Sequence, residues 1–267
     1  MASPDTSCAL PPAPLPAVLA IPAFRDNYIW CWRAGRQAAV VDPGDAEPVI
    51  EALAAEGLEL AAILITHHHA DHQGGIPGLL AHWPAAEVFA PALEAVAGCT
   101  RPLRGGESIE VLGHTLAVMA VPGHTRGHLA YALPGRLFCG DTLFGAGCGR
   151  LFEGTPAQMA ASLAAIAALP DDTLIHCAHE YTEANLRFAK AVEPDNPAIR
   201  ARCQQVAALR AAGQSTVPST LAEEKATNPF LRCREAAVIA AARREDPTVD
   251  GSEVAVFAAI RAWRNRF

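Results

Sequence analysis

The sequence predicts an α/β domain followed by a smaller, all-helical one. Short apolar runs alternate with helical stretches as far as about residue 180, and beyond that point every periodic segment has helical spacing and no convincing strand remains. The loops that close several of the apolar runs carry histidine and aspartate, which places the polar chemistry at strand ends. With 267 residues, 51% of them hydrophobic, the chain can bury a large core in one large domain or two smaller ones.

Residues 1–17, rich in Ala and Pro, read as a disordered leader without the basic start or long apolar core of a signal peptide. Val18–Ile21, Tyr28–Trp32 and Ala38–Val41 form a β-meander closed by the turn former Asp42-Pro43-Gly44. Asp45 is placed to cap a helix running to about Glu56, with Pro48 in its first turn. Leu60–Ile65 is an apolar strand, Ile76–Ala81 a short helix and Glu87–Ala90 a strand. Ile109–Leu112, Leu116–Val121 and the segments around Tyr131 and Leu137–Cys139 are strands as well. Pro156–Ala168 is helical and Thr173–His176 extended. The remainder, Thr182–Val192, Pro197–Ala212, Leu221–Ala226, Arg232–Arg243 and Ser252–Asn265, is helical. The boundary falls near Tyr181, giving segments 18–180 and 181–267.

The chemistry gathers in Thr66-His67-His68-His69-Ala70-Asp71-His72-Gln73-Gly74-Gly75, directly after the Leu60–Ile65 strand. In extended backbone, residues two apart point the same way, so His67 and His69 can face one point while His68 faces away. Asp71 and His72 follow as the glycines let the chain turn, and can face a second point beside the first. His124 after Pro122-Gly123, Asp141 after Gly140, and His179 also close apolar strands. If those strands lie side by side, five imidazoles and two carboxylates converge on one sheet edge. That number suits two metal ions sharing a carboxylate, and the N/O donor set accepts zinc, iron or manganese.

These residues resemble the metallo-β-lactamase superfamily and, within it, the hydroxyacylglutathione hydrolases, the glyoxalase II family. The similarity spans Val18 to Phe267 and rests on the motif from Thr66 to His72, Pro122-Gly123-His124-Thr125, Gly140-Asp141-Thr142-Leu143-Phe144, Gly147-Cys148-Gly149-Arg150 and His179-Glu180-Tyr181-Thr182. The last two motifs are the more particular to that branch. The resemblance implies a four-layer αββα sandwich with a helical C-terminal domain that completes the substrate site. It implies two divalent metal ions, zinc first with iron or manganese as alternatives. His67, His69 and His124 would hold one, Asp71, His72 and His179 the other, and Asp141 would bridge. Catalysis would fall to a metal-bridging hydroxide set by Asp71 and Asp141, attacking the thioester of S-D-lactoylglutathione. Arg150, Tyr181, Arg261 and Arg264 would contact the glutathione. Phe152 departs from the tyrosine of some relatives and can pack but not donate. His82, His114 and His176 match no motif, and His128 is at most an outer partner of the ligands.

Composition narrows the alternatives. A net charge of −7 argues against nucleic acid, and no apolar run of about twenty residues is present to cross a membrane. The eight cysteines contain no Cys-x-x-Cys pair, which favours reduced thiols in a cytoplasm. A monomer acting on a small glutathione thioester is expected. A serine nucleophile lacks its Gly-x-Ser-x-Gly elbow. A β-lactamase would want a cysteine ligand, a nuclease a basic surface, and a di-iron oxidoreductase a glutamate where His69 stands. A lactonase or another thioesterase of the same fold is the nearest competitor.

Overall fold

The computed structural model describes residues 17–267, so the expected leader lies, save for Ala17, outside the described residues. The chain opens with an antiparallel meander of β1 (Val18–Ala23), β2 (Asn27–Ala34) and β3 (Gln37–Val41). Then follow α1 (Glu47–Glu56), β4 (Glu59–Leu64), α2 (Ala70–Gln73), α3 (Ile76–His82), β5 (Glu87–Pro91) and β6 (Arg101–Leu103). Next come β7 (Ser108–Val111), β8 (His114–Ala120), β9 (Leu129–Leu133) and β10 (Arg136–Gly140). A small pair, β11 (Leu143–Phe144) with β12 (Gly147–Cys148), precedes α4 (Pro156–Ala167) and β13 (Leu174–Cys177). The remainder holds α5 (Thr182–Val192), α6 (Pro197–Ala211), β14 (Ser219–Thr220), α7 (Leu221–Thr227), α8 (Ala236–Glu245) and α9 (Glu253–Arg264).

Two six-stranded sheets result, ordered β1-β2-β3-β4-β5-β6 and β14-β13-β10-β9-β8-β7. Alternation along the strands of the first sheet separates two cores. Trp30, Trp32, Ala39, Val41, Ala62, Leu64 and Phe89 join Leu116, Val118, Tyr131 and Phe138 of the second sheet in one buried cluster. Ile29, Cys31, Ala38, Val40 and Ile63 point the other way, against Val49 and Leu53 of α1 and Ile76 and Leu79 of α3. Met159, Leu163 and Ile166 of α4, with Phe188, Phe230 and Phe257 from the later helices, belong to the cluster built on the second sheet. The layers are therefore helix, sheet, sheet, helix, as expected.

Local chemistry explains most boundaries. Gly57 ends α1 in the left-handed region at φ +63°, returning its N–H to Ala54. Thr155 and Gln158 form a reciprocal capping box on α4, and Asn196 and Ser252 cap α6 and α9.

Several expectations need correction. Ala46, not Asp45, holds the N-cap position of α1, while Asp45 Oδ1 accepts the Glu47 N–H at 3.2 Å in the turn before it. Residues 70–73 form a helical turn where a simple bend was expected. A strand does exist beyond His179: β14 pairs antiparallel with Leu174 and Ile175 of β13. Two residues are too few to show a period of two in the sequence. Helix α8 starts at Ala236 rather than Arg232, because Pro229–Leu231 form a separate 3-10 turn capped by Asn228.

Candidate metal centre and adjoining cleft

The parallel strands β3, β4 and β5 end at the same edge as β10 and β13, and the polar loops leave from there. The two sheets are tied together at this edge. Tyr28 N–H donates to Ala178 O at 2.7 Å, Glu180 N–H to Asp26 O at 2.9 Å, and Trp30 Nε1 to Cys177 O at 2.9 Å. After β4, Thr66 is held by Asp42, whose two oxygens accept its N–H and hydroxyl at 2.8 Å each. His69 remains extended (φ −63°, ψ 147°) and begins α2, whose single turn swings Asp71 and His72 beside it.

All seven candidate donors meet. His67 Nε2 and His124 Nε2 stand 2.9 and 3.0 Å from His69 Nδ1. His72 Nε2 and His179 Nε2 each lie 3.5 Å from Asp71 Oδ2, and 3.5 and 3.4 Å from Asp141 Oδ1. The other oxygen of Asp141 is 3.4 Å from His124 Nε2, so this carboxylate faces both groups. Donors about 2.1 Å from a shared ion in a tetrahedral shell stand roughly 3.4 Å apart, and the separations here bracket that value. His72 Nε2 and Asp141 Oδ1 are buried without any hydrogen-bond partner. Orphaned buried polar atoms of this kind are costly unless something completes them, and a divalent cation fits both.

The electrostatics agree. Burial, reinforced by the neighbouring imidazoles, holds His67 well below the usual histidine range and therefore neutral, the form that binds a metal. Burial opposes ionisation of Asp141, yet His72 and His179 hold its carboxyl below the usual range. Burial would also lower His72, but the carboxylates of Asp141, Asp42 and Asp71 raise it to about 9, so a cation bound here must displace the His72 proton.

Four of the five imidazoles, those of His179, His124, His67 and His72, face a partner through their other nitrogen. His179 Nδ1 lies 2.8 Å from Asp26 Oδ1, His124 Nδ1 2.8 Å from Arg150 O, His67 Nδ1 3.0 Å from Thr66 Oγ1, and His72 Nδ1 3.1 Å from Asp42 Oδ2. Asn27 Nδ2 donates to Asp71 Oδ2 at 3.1 Å. Asp26, Asn27 and Asp42 were legible only as turn formers, since their sequence neighbours gave no hint of a distant imidazole or carboxylate. His128 accepts the Asp141 N–H at 3.2 Å and stacks on His67. His68 turns away to Glu94 and Glu153. His176 is buried between Trp30 and Phe138, His82 packs on Trp83, and His114 opens β8.

A cleft of about 400 Å³ adjoins the donors, lined by His124, Asp141, Arg150, Phe152, Tyr181, Arg261 and Arg264 among others. Tyr181 stacks parallel on His179, centroids 4.7 Å apart. Phe152 is 59% exposed and stands edge-on to His69 and His124. Among the described residues no carboxylate lies within 4 Å of the guanidinium of Arg150, Arg261 or Arg264. Arg261 nonetheless faces inward: only 8% exposed, it donates to Cys148 O at 2.8 Å and Asn265 Oδ1 at 3.1 Å. Arg264 reaches Asn185 Oδ1 at 3.3 Å and is the more open of the pair. Asn185, Asn265 and Phe267 also line the cleft and were not anticipated there. A larger cavity, about 750 Å³, opens where β3, β4 and β5 begin, away from the donors. Its carboxylates Glu59, Glu87 and Glu110 are bonded to Trp83, Arg101 and Thr115.

Two facing sheets flanked by helices, with paired His/Asp donor groups at one edge, define a metallohydrolase of the metallo-β-lactamase class, and the superfamily's model matches residues 25–179. The crystal structure of ETHE1 from Myxococcus xanthus superposes with a TM-score of 0.60 at 26% identity, covering 91% of this chain and 98% of that one. The model for the hydroxyacylglutathione hydrolase C-terminus matches residues 180–267. A hydroxyacylglutathione hydrolase from Dechloromonas aromatica is 65% identical over 260 residues, 92% of this chain and 98% of the relative. One from Photobacterium profundum is 51% identical over 251 residues, 94% and 99% of the two chains. The chain belongs to the hydroxyacylglutathione hydrolase family.

Proposed function

We propose that this chain hydrolyses S-(2-hydroxyacyl)glutathione thioesters, S-D-lactoylglutathione foremost, to glutathione and the 2-hydroxy acid, the second step of methylglyoxal detoxification. The observation that carries the reading is one edge holding seven metal-type donors beside a cleft of guanidiniums without carboxylate partners. In it His67, His69 and His124 hold one divalent ion, Asp71, His72 and His179 the second, and Asp141 serves both. Ions so held supply an acidified water and a Lewis acid for the thioester carbonyl. Zinc is the proposed occupant, with iron or manganese acceptable to the same donors.

The chain's own residues do the rest. Arg150 and Arg264 answer the two carboxylates of glutathione, Arg261 braces the Cys148 loop from which Arg150 follows, and Tyr181 borders the cleft against His179. Asp141, held below the usual carboxylate range by His72 and His179 despite its burial, keeps its charge at the reacting edge, with Asp71 beside it. No protein acid is required for the leaving group, because a thiol with a pKa of about 8.5 departs readily as thiolate. Residues 18–180 then carry the chemistry and 181–267 most of the glutathione contacts. The chain would work as a monomer in a reducing cytoplasm, a compartment that the free thiols of the seven described cysteines fit.

The test is steady-state hydrolysis of S-D-lactoylglutathione with metal analysis on the same sample. Chelator-sensitive turnover with about two metals per chain is the expected result. A fully metallated sample that leaves the thioester intact while cleaving a lactone would overturn the substrate assignment.

A further inference from the structure

Glu94 lies in the turn after β5, outside every motif of the site, yet its side chain is only 3% exposed. Its oxygens divide between the two loops that carry the all-histidine group. Oε2 accepts the His68 N–H at 2.7 Å and lies 3.0 Å from His68 Nδ1. Oε1 accepts the Gly127 N–H at 2.9 Å and the Thr125 hydroxyl. His68 sits between His67 and His69, and Thr125 follows His124. One buried carboxylate thus joins a loop of the first sheet to a loop of the second, at the three imidazoles whose nitrogens stand 2.9 and 3.0 Å apart.

The surroundings are shaped for this contact. A β-carbon on Gly127 would come within 2.6 Å of Glu94 Cγ, so the missing side chain there makes room for the glutamate. Gln73 Nε2 adds a second tie by donating to His68 O. Each Glu94 oxygen already holds two donors, which makes His68, Glu94 and Glu153 a hydrogen-bonded cluster rather than a third cation site. By contrast, Asp71, His72 and His179 take their support from Asn27, Asp42 and Asp26, none of which touches Glu94.

We infer that Glu94 is a positioning residue for the His67–His69–His124 group alone, setting the distance between its two loops and hence the affinity of one metal and not the other. This rests on the two-metal reading above. Glutamine at this position keeps one acceptor oxygen but turns an NH₂ toward the other pair of donors, so Glu94→Gln opens the clamp with little change in volume. Gly127→Ala opens it from the opposite side by displacing the Glu94 stem.

The experiment is competition of the full-length, metal-depleted chain for Zn²⁺ against a chromophoric chelator, with thermal melting on the same proteins. Wild type binds in two steps. In Glu94→Gln, and likewise in Gly127→Ala, one step weakens by about 10- to 100-fold, the usual scale for outer partners of metal ligands, while the other is unchanged. Glu94→Gln added to His69→Ala causes no further loss, which assigns the affected step to the histidine group. Two unchanged steps in Glu94→Gln, or two equally weakened steps with a lowered melting temperature, overturn the inference. A wild-type chain that takes up no Zn²⁺ overturns instead the metal reading beneath it.

Discussion

The donor edge and the arginine cleft share His124 and Asp141 but are built differently. At the edge, four of the five imidazoles are backed through their second nitrogen by a carboxylate, a hydroxyl or a backbone carbonyl. In the cleft, the cations come from a loop and from the last turn of α9, and Arg264 makes one hydrogen bond, to an amide oxygen, while lying over the Phe188 ring. Rigidity is concentrated where metal geometry demands it, and adaptability is left where a flexible tripeptide must be received. Substitutions at the edge should therefore act on metal content and kcat, and those in the cleft on KM.

The sharpest way to break this contrast is Asp141→Ala. Outer partners of metal ligands cost roughly 10- to 100-fold, so losing a carboxylate that faces both groups should reduce kcat by more than about 100-fold and leave the chain short of metal on elemental analysis. Full turnover with an intact metal complement would refute the assignment.

His176, three residues before His179, tests where the edge stops. Burial between Trp30 and Phe138 lowers its pKa to about 4. A histidine kept neutral in the folded state contributes stability fully above about pH 6.5 and loses it as pH falls from about 6.5 to 4, because the unfolded chain takes up the proton first. For that shift the loss by pH 5 is about 2 kcal/mol, roughly 30-fold in the folding equilibrium. His176→Phe should remove this part of the acid sensitivity in denaturant titrations of the chelated protein at about pH 7.5 and pH 5. An unaltered pH dependence would show that His176 does not report its burial.

In the cleft, Arg264→Ala should raise KM about tenfold with kcat nearly unchanged, the loss expected for one charged hydrogen bond to substrate. A fall in kcat at constant KM would move Arg264 from binding to chemistry. The smallest effect sharpens the picture: Phe152→Tyr adds a hydroxyl at the open wall and should lower KM by a few-fold, on the scale of one neutral hydrogen bond. No change in KM would place the tripeptide away from Phe152.

By itself the sequence determined the order of the main strands and helices and offered the seven donor candidates. These came through local signals such as a period of two before a glycine turn and a His-x-His spacing. The basic residues of the cleft came from its resemblance to the family, and the short strands β6, β11 and β12 went unread. Tertiary structure decided what each donor leans on. Asp26 supports His179 from 153 residues away, Asp42 joins Thr66 and His72, and Glu94 bonds two loops of different sheets. In sequence those acids are turn formers or surface carboxylates, because a hydrogen-bond partner set by sheet packing leaves no periodic trace. The same reason hid β14, whose two residues become a strand only by pairing with β13. It also hid the inward turn of Arg261, which shares a helix face with Arg264 but is buried against Cys148 O. Spacing reveals which atoms can bind; only the packed fold shows which of them are free to do so.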